Sequence, residues 1–392
     1  MPAVPRPLAL YIHWPFCVSK CPYCDFNSHV RASVDQEVWR TALLADLAYE
    51  AEALASSDAG LRRLTSIFFG GGTPSLMPPA TVDALIAAAE RHFGFAPEIE
   101  ITLEANPSSV EASRFADLAS AGVNRVSLGV QALDPAALHF LGRAHDVDEA
   151  VAAIAVAQTC FARVNLDLIY ARPGQTAAAW ETELGRVLAF GSDHLSLYQL
   201  TIEPGTRFET LVREGRLSPV DPDHAADLFD LTRTATASAG LPAYEISNHA
   251  RAGAESRHNL SYWRYDDYLG IGPGAHGRRL HCATQRHRKP ENWLSAVARN
   301  GHGLVEEVAL LPDTRAAEAL LMGLRLAEGV NLADIAGRTG IARSRLVVAA
   351  AVERLEALGL IQCVAEHLRV TDAGMLLLDA MLAEIVPTSG SD

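Results

Sequence analysis

From Leu8 to Leu200 the chain alternates strand-like and helix-like segments with a regular beat, and this alternation limits the possible folds more than any other feature. Apolar, β-branched or aromatic runs lie at Leu8–His13, Ser66–Phe69, Glu98–Leu103, Arg125–Val130, Arg163–Ile169 and His194–Leu200. Segments with helical spacing separate them, at Gln36–Leu54, Thr81–His92, Val110–Ala121, Val147–Thr159 and Ala178–Phe190. Six successive βα-type units predict a parallel sheet with helices outside it. A strand buried on both faces reads as nearly continuous apolar sequence, as Ser66–Phe69 does. Right-handed crossovers curl such a set into an open or closed barrel, so the expected class is α/β, a partial (β/α)6 TIM-like barrel.

In barrels of this kind functional residues collect at the C-terminal ends of the strands. The first strand here runs into Cys17, Cys21 and Cys24, which put three of the six cysteines within eight residues, spaced C-x3-C-x2-C. The second ends in Gly70-Gly71-Gly72-Thr73-Pro74-Ser75 and the third in Leu103-Glu104-Ala105-Asn106-Pro107. The fourth ends in Gly129-Val130-Gln131, the fifth carries Asp167, and the sixth ends near Tyr198–Thr201. Polar residues and glycines therefore gather at one mouth, facing the cysteines.

A tight loop of three thiolates suits one small inorganic centre. A [4Fe–4S] cube normally takes four cysteines, so three leave one iron open to a non-protein ligand. Zinc stays open on spacing alone, with His13 or His29 completing a site. Successive glycines let backbone N–H groups approach a ligand, or simply make a tight turn. Glu104 suits a ribose diol or a helix cap. Gln131 can donate and accept. Asp167 is the most telling, because an unpaired carboxylate inside an apolar strand is costly. Arg143 suits a bidentate grip on a carboxylate, or an exposed helix end.

At 392 residues, 49% hydrophobic and 20% charged, the chain has room for a large core and two or three domains. Its net charge of −14 argues against nucleic acid as a partner. The basic run Arg278, Arg279, Arg286, His287, Arg288 and Lys289 reads as a solvated loop. Six reduced cysteines, no apolar run near membrane-span length and no targeting pattern at Met1–Leu10 predict a cytoplasmic protein. From Pro312 onward the pattern becomes helical at Thr314–Leu326, Leu332–Thr339 and Arg343–Leu358. Short strands at Leu360–Cys363 and His367–Val370 and a helix at Thr371–Ile385 follow, which together predict a mostly helical, winged-helix-like domain. A DNA-binding reading would put Arg343 and Arg345 in a groove; the acidic chain favours a docking or lid domain instead. The expected division is 1–205 for the barrel, 206–311 for a barrel extension and ligand-binding region, and 312–392 for the winged domain.

The cysteine spacing resembles the signature of the radical S-adenosylmethionine (SAM) superfamily. The series Gly-Gly-Gly-Thr-Pro, Leu-Glu-Ala-Asn-Pro, Gly-Val-Gln, Leu-Gly-Arg and Asp-Leu-Ile-Tyr-x-x-Pro-Gly-Gln-Thr resembles its coproporphyrinogen III oxidase-like branch. That resemblance implies a radical SAM barrel in which Cys17, Cys21 and Cys24 hold a [4Fe–4S] cluster. It also implies that Tyr11, Tyr23, Gly71, Gly72, Thr73, Glu104, Gln131, Arg143 and Asp167 line the SAM pocket.

Within the branch, His258-Asn259-Leu260-Ser261-Tyr262-Trp263 is similar to a His-Asn-x-x-Tyr-Trp motif tied to heme binding in the HemW family. Two further features lean the same way: Asp25 and Phe26 follow Cys24 where the oxidases carry Gly-Cys, and only about ten residues precede the first strand. The resemblance implies a heme chaperone, with His258 as heme ligand and Tyr262 and Trp263 stacking on the macrocycle. On the residues alone His258 reads as a histidine in a buried hydrogen-bonded network, and His249, His276, His281, His287 and Cys282 are alternative ligands. The implied partners are heme and heme-acceptor proteins, with respiratory proteins as candidates, no nucleic acid and at most transient membrane contact. The alternative function is an oxygen-independent coproporphyrinogen III oxidase, decarboxylating propionates by a 5′-deoxyadenosyl radical.

Overall fold

Each of the six apolar runs forms a strand in a computed structural model of the chain, which describes residues 6–56 and 62–387. They are β1 (Arg6–Trp14), β2 (Arg62–Gly71), β3 (Phe95–Ala105), β4 (Arg125–Gln131), β5 (Arg163–Tyr170) and β6 (His194–Gln199). Neighbours pair in parallel and in sequence order from β1 to β6. Helices such as Gln36–Ala55, Pro79–Phe93, Val147–Cys160 and Ala177–Leu188 make the crossovers. Local chemistry sets their starts. The Asp35 side chain accepts from the Val38 N–H, and Asp146 with Glu149 forms a reciprocal capping box.

The barrel is open, and other strands extend both edges. β7 (Asn248–Ala250) pairs antiparallel with β6. On the far side β8 (Tyr268–Ile271) pairs in parallel with β1. It is followed by antiparallel β9 (His276–Arg279), β10 (Cys282–Arg286) and β11 (Leu304–Ala309), which complete an 11-stranded sheet.

This extension corrects the reading of the basic run as a solvated loop for its three arginines Arg278, Arg279 and Arg286, while Arg288 and Lys289 are exposed beyond β10. Arg278, Arg279 and Arg286 are buried in β9 and β10, with Arg286 at 0% exposure. Arg286 pairs with Asp46 at 3.2 Å and Glu50 at 2.5 Å, and Arg279 with Glu50 at 2.6 Å and Glu307 at 3.0 Å. The Arg278 guanidinium lies 3.5 Å from the ring centroid of Tyr265. A buried cation needs such partners, and two of them, Asp46 and Glu50, come from a helix more than 200 residues away in sequence.

The C-terminal region has its own core, which includes Leu332, Ile335, Leu346, Leu368 and Leu382 and takes in Phe229 and Tyr265 from the preceding region. Helix Leu332–Thr339, a 3-10 turn at Arg343–Arg345 and helix Ala349–Ala357 lead into a hairpin of Ile361–Val364 and His367–Val370. Val330–Asn331 joins as a third strand, completing the winged-helix arrangement.

Three expected helices are broken. Val110–Ala121 divides into Ser109–Ala112 and Phe115–Ser120, with Arg114 at the break donating to the carbonyls of Ser75 at 2.8 Å and Met77 at 2.6 Å. Arg343–Leu358 divides after the 3-10 turn, and Thr371–Ile385 divides at Leu376–Leu377.

Candidate functional site

Residues from the ends of β2 to β6, together with the cysteine loop, line one cavity of about 1110 Å³. Cys17, Cys21 and Cys24 are free, half-buried and on its wall. Thr73 Oγ1 donates to Cys17 Sγ at 3.5 Å, and Arg143 Nη1 to Cys21 Sγ at 3.4 Å. Burial raises the thiol pKa of Cys17 and of Cys24, with nearby hydrogen bonds acting against it.

Among the described residues no three His, Cys, Asp or Glu side chains converge closely enough to hold a single metal ion. The zinc arrangement also loses its histidines. His13 Nε2 donates to the Asn27 carbonyl at 3.0 Å, its Nδ1 accepts from Tyr11 Oη at 2.9 Å, and His29 donates to Asn27 Oδ1 at 3.3 Å.

The glycine turn is shaped by close packing. Gly71 has φ +114°, and a Cβ there would overlap the His13 ring. Its amides are committed within the protein: Gly71 N–H to Glu104 Oε2 at 3.1 Å, Gly72 N–H to the Trp14 carbonyl at 2.7 Å, and Thr73 N–H to that of Phe16 at 2.8 Å. Gly71, Gly72 and Thr73 thus line the cavity while their N–H groups hold the turn.

Glu104 faces this cavity. Its carboxyl pKa is raised to about 8, first by burial and then by the nearby Asp167 carboxylate. Asp167 is raised too, by burial, against hydrogen bonds from Ser127 at 3.0 Å and Asn165 at 2.7 Å. The polar network continues from Asn165 to Ser196 at 2.9 Å and on to Asn248 at 2.8 Å. Gln131 also lines the cavity, with φ +65°. A left-handed conformation in a side-chain-bearing residue costs about 1–2 kcal/mol, and such positions concentrate at ligand sites.

Arg143 Nη2 donates to Asn106 Oδ1 at 2.5 Å and to the Gly129 carbonyl at 2.9 Å, while its Nε is buried without a partner. Tyr23 Oη stands 3.4 Å from Arg143 Nη1.

Several contributors escaped sequence reasoning. Glu111 is buried, accepts from Ser75 Oγ, and takes the Asn106 N–H at 2.8 Å, so it fastens the glycine turn to the end of β3. Nothing in Ser108–Glu111 separates it from an ordinary first-turn acid. Asn27 Nδ2 donates to the carbonyls of Pro273 at 2.9 Å and Arg288 at 2.8 Å, joining the cysteine loop to the glycine-rich segment before β9. His145 lines the cavity and donates to the Val130 carbonyl at 3.1 Å; burial first, and then Arg143, lower its pKa to about 4.

Tyr11 lies elsewhere than the other expected SAM contacts. It lines a second cavity, of about 900 Å³, which meets the first along Gly71, Glu104 and Tyr198. Tyr262, Trp263 and Tyr268 supply its aromatic wall.

His258 is not on that wall. It is 1% exposed, with Nδ1 3.0 Å from Ser66 Oγ and Nε2 2.8 Å from Tyr262 Oη, and its ring stacks on Phe68 at 4.9 Å. Burial lowers its pKa to about 3, so the ring is neutral and both nitrogens are engaged. The helix Arg257–Trp263 therefore plugs the barrel interior with His258 and turns Tyr262 and Trp263 toward the second cavity.

A family model for the radical SAM superfamily matches residues 11–184, and one for the HemN C-terminal domain matches residues 310–377. The chain is 36% identical to heme chaperone HemW of Escherichia coli (strain K12) over 386 residues, covering 96% of this chain and 97% of that one. With the HemW of Haemophilus influenzae it shares 38% identity over 351 residues, 88% of this chain and 89% of the other. The chain belongs to the HemW family of radical SAM proteins. The mouse protein "Radical S-adenosyl methionine domain-containing protein 1, mitochondrial" is 39% identical over 400 residues, 97% of this chain and 87% of its own.

The fold is shared with the solved coproporphyrinogen III oxidase (HemN) of Escherichia coli, at TM-score 0.80 and 23% identity over 97% of this chain and 90% of that one. Membership of the radical SAM family implies a [4Fe–4S] cluster and SAM. The residues of this cavity fit both: three thiols without a fourth cysteine beside them, and an unpartnered Arg143 Nε among polar strand ends. Among the described residues no helix is long and apolar enough to cross a membrane.

Proposed function

We propose that this protein is a heme chaperone, which binds heme beside a radical SAM centre and passes it to acceptor proteins. The observation that carries the reading is an aromatic-walled cavity abutting the cysteine cavity, in a chain similar end to end to heme chaperones. Cys17, Cys21 and Cys24 hold the cluster, with Thr73 and Arg143 donating to the sulfurs of Cys17 and Cys21 and so offsetting negative charge on that thiolate pair. When bound, the cluster supplies an open iron for SAM and one-electron reducing power.

The chain's own residues bind and orient. Glu104 and Gln131 receive ribose or adenine edges, the Nε–H of Arg143 meets a carboxylate, and Asp167 takes part from its serine and asparagine cradle. Gly71, Gly72, Thr73 and Tyr23 shape the walls, and Tyr11 lines the adjoining cavity. Tyr262 and Trp263 offer ring faces to the macrocycle, and His258 fixes Tyr262 by its hydrogen bond.

Residues 1–205 form the radical SAM unit, 206–311 bring the heme wall, and 312–392 act as a docking and covering domain in the cytoplasm. Met322 and Arg325 on the second cavity and Asp379 on the first support that covering role. DNA is disfavoured as a partner, since Arg343 pairs with Glu366 at 2.7 Å and Arg345 with Asp313 at 3.5 Å. Heme acceptors of the respiratory kind would be met by transient contact.

Hemin titration of reconstituted protein, followed by transfer to an apo-cytochrome, tests the reading. Stable binding and transfer are expected; failure of the full chain to bind hemin overturns it.

A further inference from the structure

The second cavity contains the groups that a metalloporphyrin requires. Its volume of about 900 Å³ lies within the range of cofactor sites. Tyr262, Trp263 and Tyr268 give it flat apolar faces, and the indole N–H of Trp263 is buried without a partner. Two cations, Arg288 and Arg325, stand on the lining. Arg325 also reaches Asp379 at 3.0 Å, whereas the Arg288 guanidinium makes no hydrogen bond among the described residues.

Two imidazoles border this space, and they differ. Both ring nitrogens of His13 are used, by Tyr11 and by the Asn27 carbonyl. His276, at the start of β9, lines the cavity; its backbone pairs in the sheet, and its imidazole makes no hydrogen bond among the described residues. A histidine nitrogen is a usual axial ligand of heme iron, and a ring with uncommitted nitrogens can ligate without breaking anything. His258 would first have to break a hydrogen bond to Ser66 or Tyr262 and pass the cavity wall.

We infer that the second cavity seats an iron porphyrin, with His276 as axial ligand and Arg288 and Arg325 receiving its carboxylate side chains. The inference rests on the heme-chaperone reading and names the site that reading needs.

The test is titration of full-length, cluster-reconstituted protein with hemin and, separately, with iron-free protoporphyrin IX. For His276→Ala the Soret band of bound heme should shift and hemin affinity should fall by about tenfold or more. The same variant should bind protoporphyrin IX as the wild type does, because that ring has no iron to ligate. Arg288→Ala should weaken both ligands by a similar factor.

If the wild type binds no hemin, the chaperone reading fails. If the wild type binds hemin and His276→Ala keeps its Soret band and affinity, the ligand assignment is overturned while the chaperone reading stands. Should His276→Ala fail to take up its cluster, His276→Gln decides by the same criteria. A Soret shift in His258→Gln but not in His276→Gln would return the ligand to His258 and overturn the inference.

Discussion

The two adjoining cavities are built in different ways. The first stands at the ends of successive parallel strands, and each unit of the βα repeat delivers a polar residue to the same mouth. The second is assembled from β1, the cysteine loop, the helix Arg257–Trp263, the glycine-rich segment and the C-terminal region. In the first, a repeated topology positions the chemistry. In the second, position depends on contacts between remote segments, above all the buried cluster of Asp46, Glu50, Arg279 and Arg286. Asp46 accepts from the Gly272 N–H at 3.1 Å, the Gly303 N–H at 3.0 Å, Trp293 Nε1 at 3.2 Å and Arg286 Nε at 3.2 Å. One helix carboxylate thereby anchors the segment that carries His276.

The difference between the cavities can be broken or sharpened by experiment. The largest effect is expected at the first: Cys21→Ala should abolish cluster assembly, read as iron and sulfide content after anaerobic reconstitution. Retention of a full cluster would remove Cys21 as a ligand.

Next comes the anchor of the second cavity. Asp46→Ala leaves Arg286 buried without one of its two acids and should cost about 3–5 kcal/mol in urea unfolding. Any folded remainder should lose hemin affinity more than SAM affinity. Equal losses of both would mean that the cavities are not separately built.

A third test uses the raised carboxyl of Glu104. With a folded pKa of about 8, Glu104 is protonated at neutral pH and must shed that proton before both of its oxygens can accept from a ribose diol. SAM affinity should therefore climb with pH up to about 8 and level off above it, with proton release on binding below that pH. The unliganded protein should lose stability over the same rise, from the ordinary carboxylate range upward, because the folded state holds the proton that the unfolded chain releases. Calorimetry in buffers of different ionisation enthalpy measures the proton count. In Glu104→Gln the pH dependence should vanish and hemin binding should persist.

The smallest effect is at Gln131. Glycine there relieves the left-handed backbone, so Gln131→Gly should gain about 1 kcal/mol in stability while weakening SAM. A variant that is both less stable and unchanged in SAM affinity would deny Gln131 its ligand role.

These cavities also mark the limit of what the sequence made legible. The six strands, the cysteine loop and the winged domain could be read, because period, spacing and turn residues are local signals. Helix Leu332–Thr339 and strand His367–Val370 fall within the ends expected from pattern alone. What stayed hidden was partnership. Arg279 and Arg286 looked solvated because Asp46 and Glu50 lie in a distant helix, and Arg278 because its partners, the Tyr265 ring and the Asp266 carbonyl, carry no paired-charge signal. Glu111 looked like a helix-start acid, and no local signal showed that it ties two strand ends together. The position of His258 inside the barrel, with Tyr262 and Trp263 turned outward, depends on Ser66 and Phe68. No spacing rule connects residues almost 200 positions apart.

The account's central claim is that the cavity beside the cluster serves to carry heme. Its most direct test is a parallel assay of anaerobically reconstituted protein with SAM, using coproporphyrinogen III in one arm and hemin in the other. The account predicts stoichiometric hemin binding and no decarboxylation. Conversion of coproporphyrinogen III to protoporphyrinogen IX would contradict it and make the protein an oxidase.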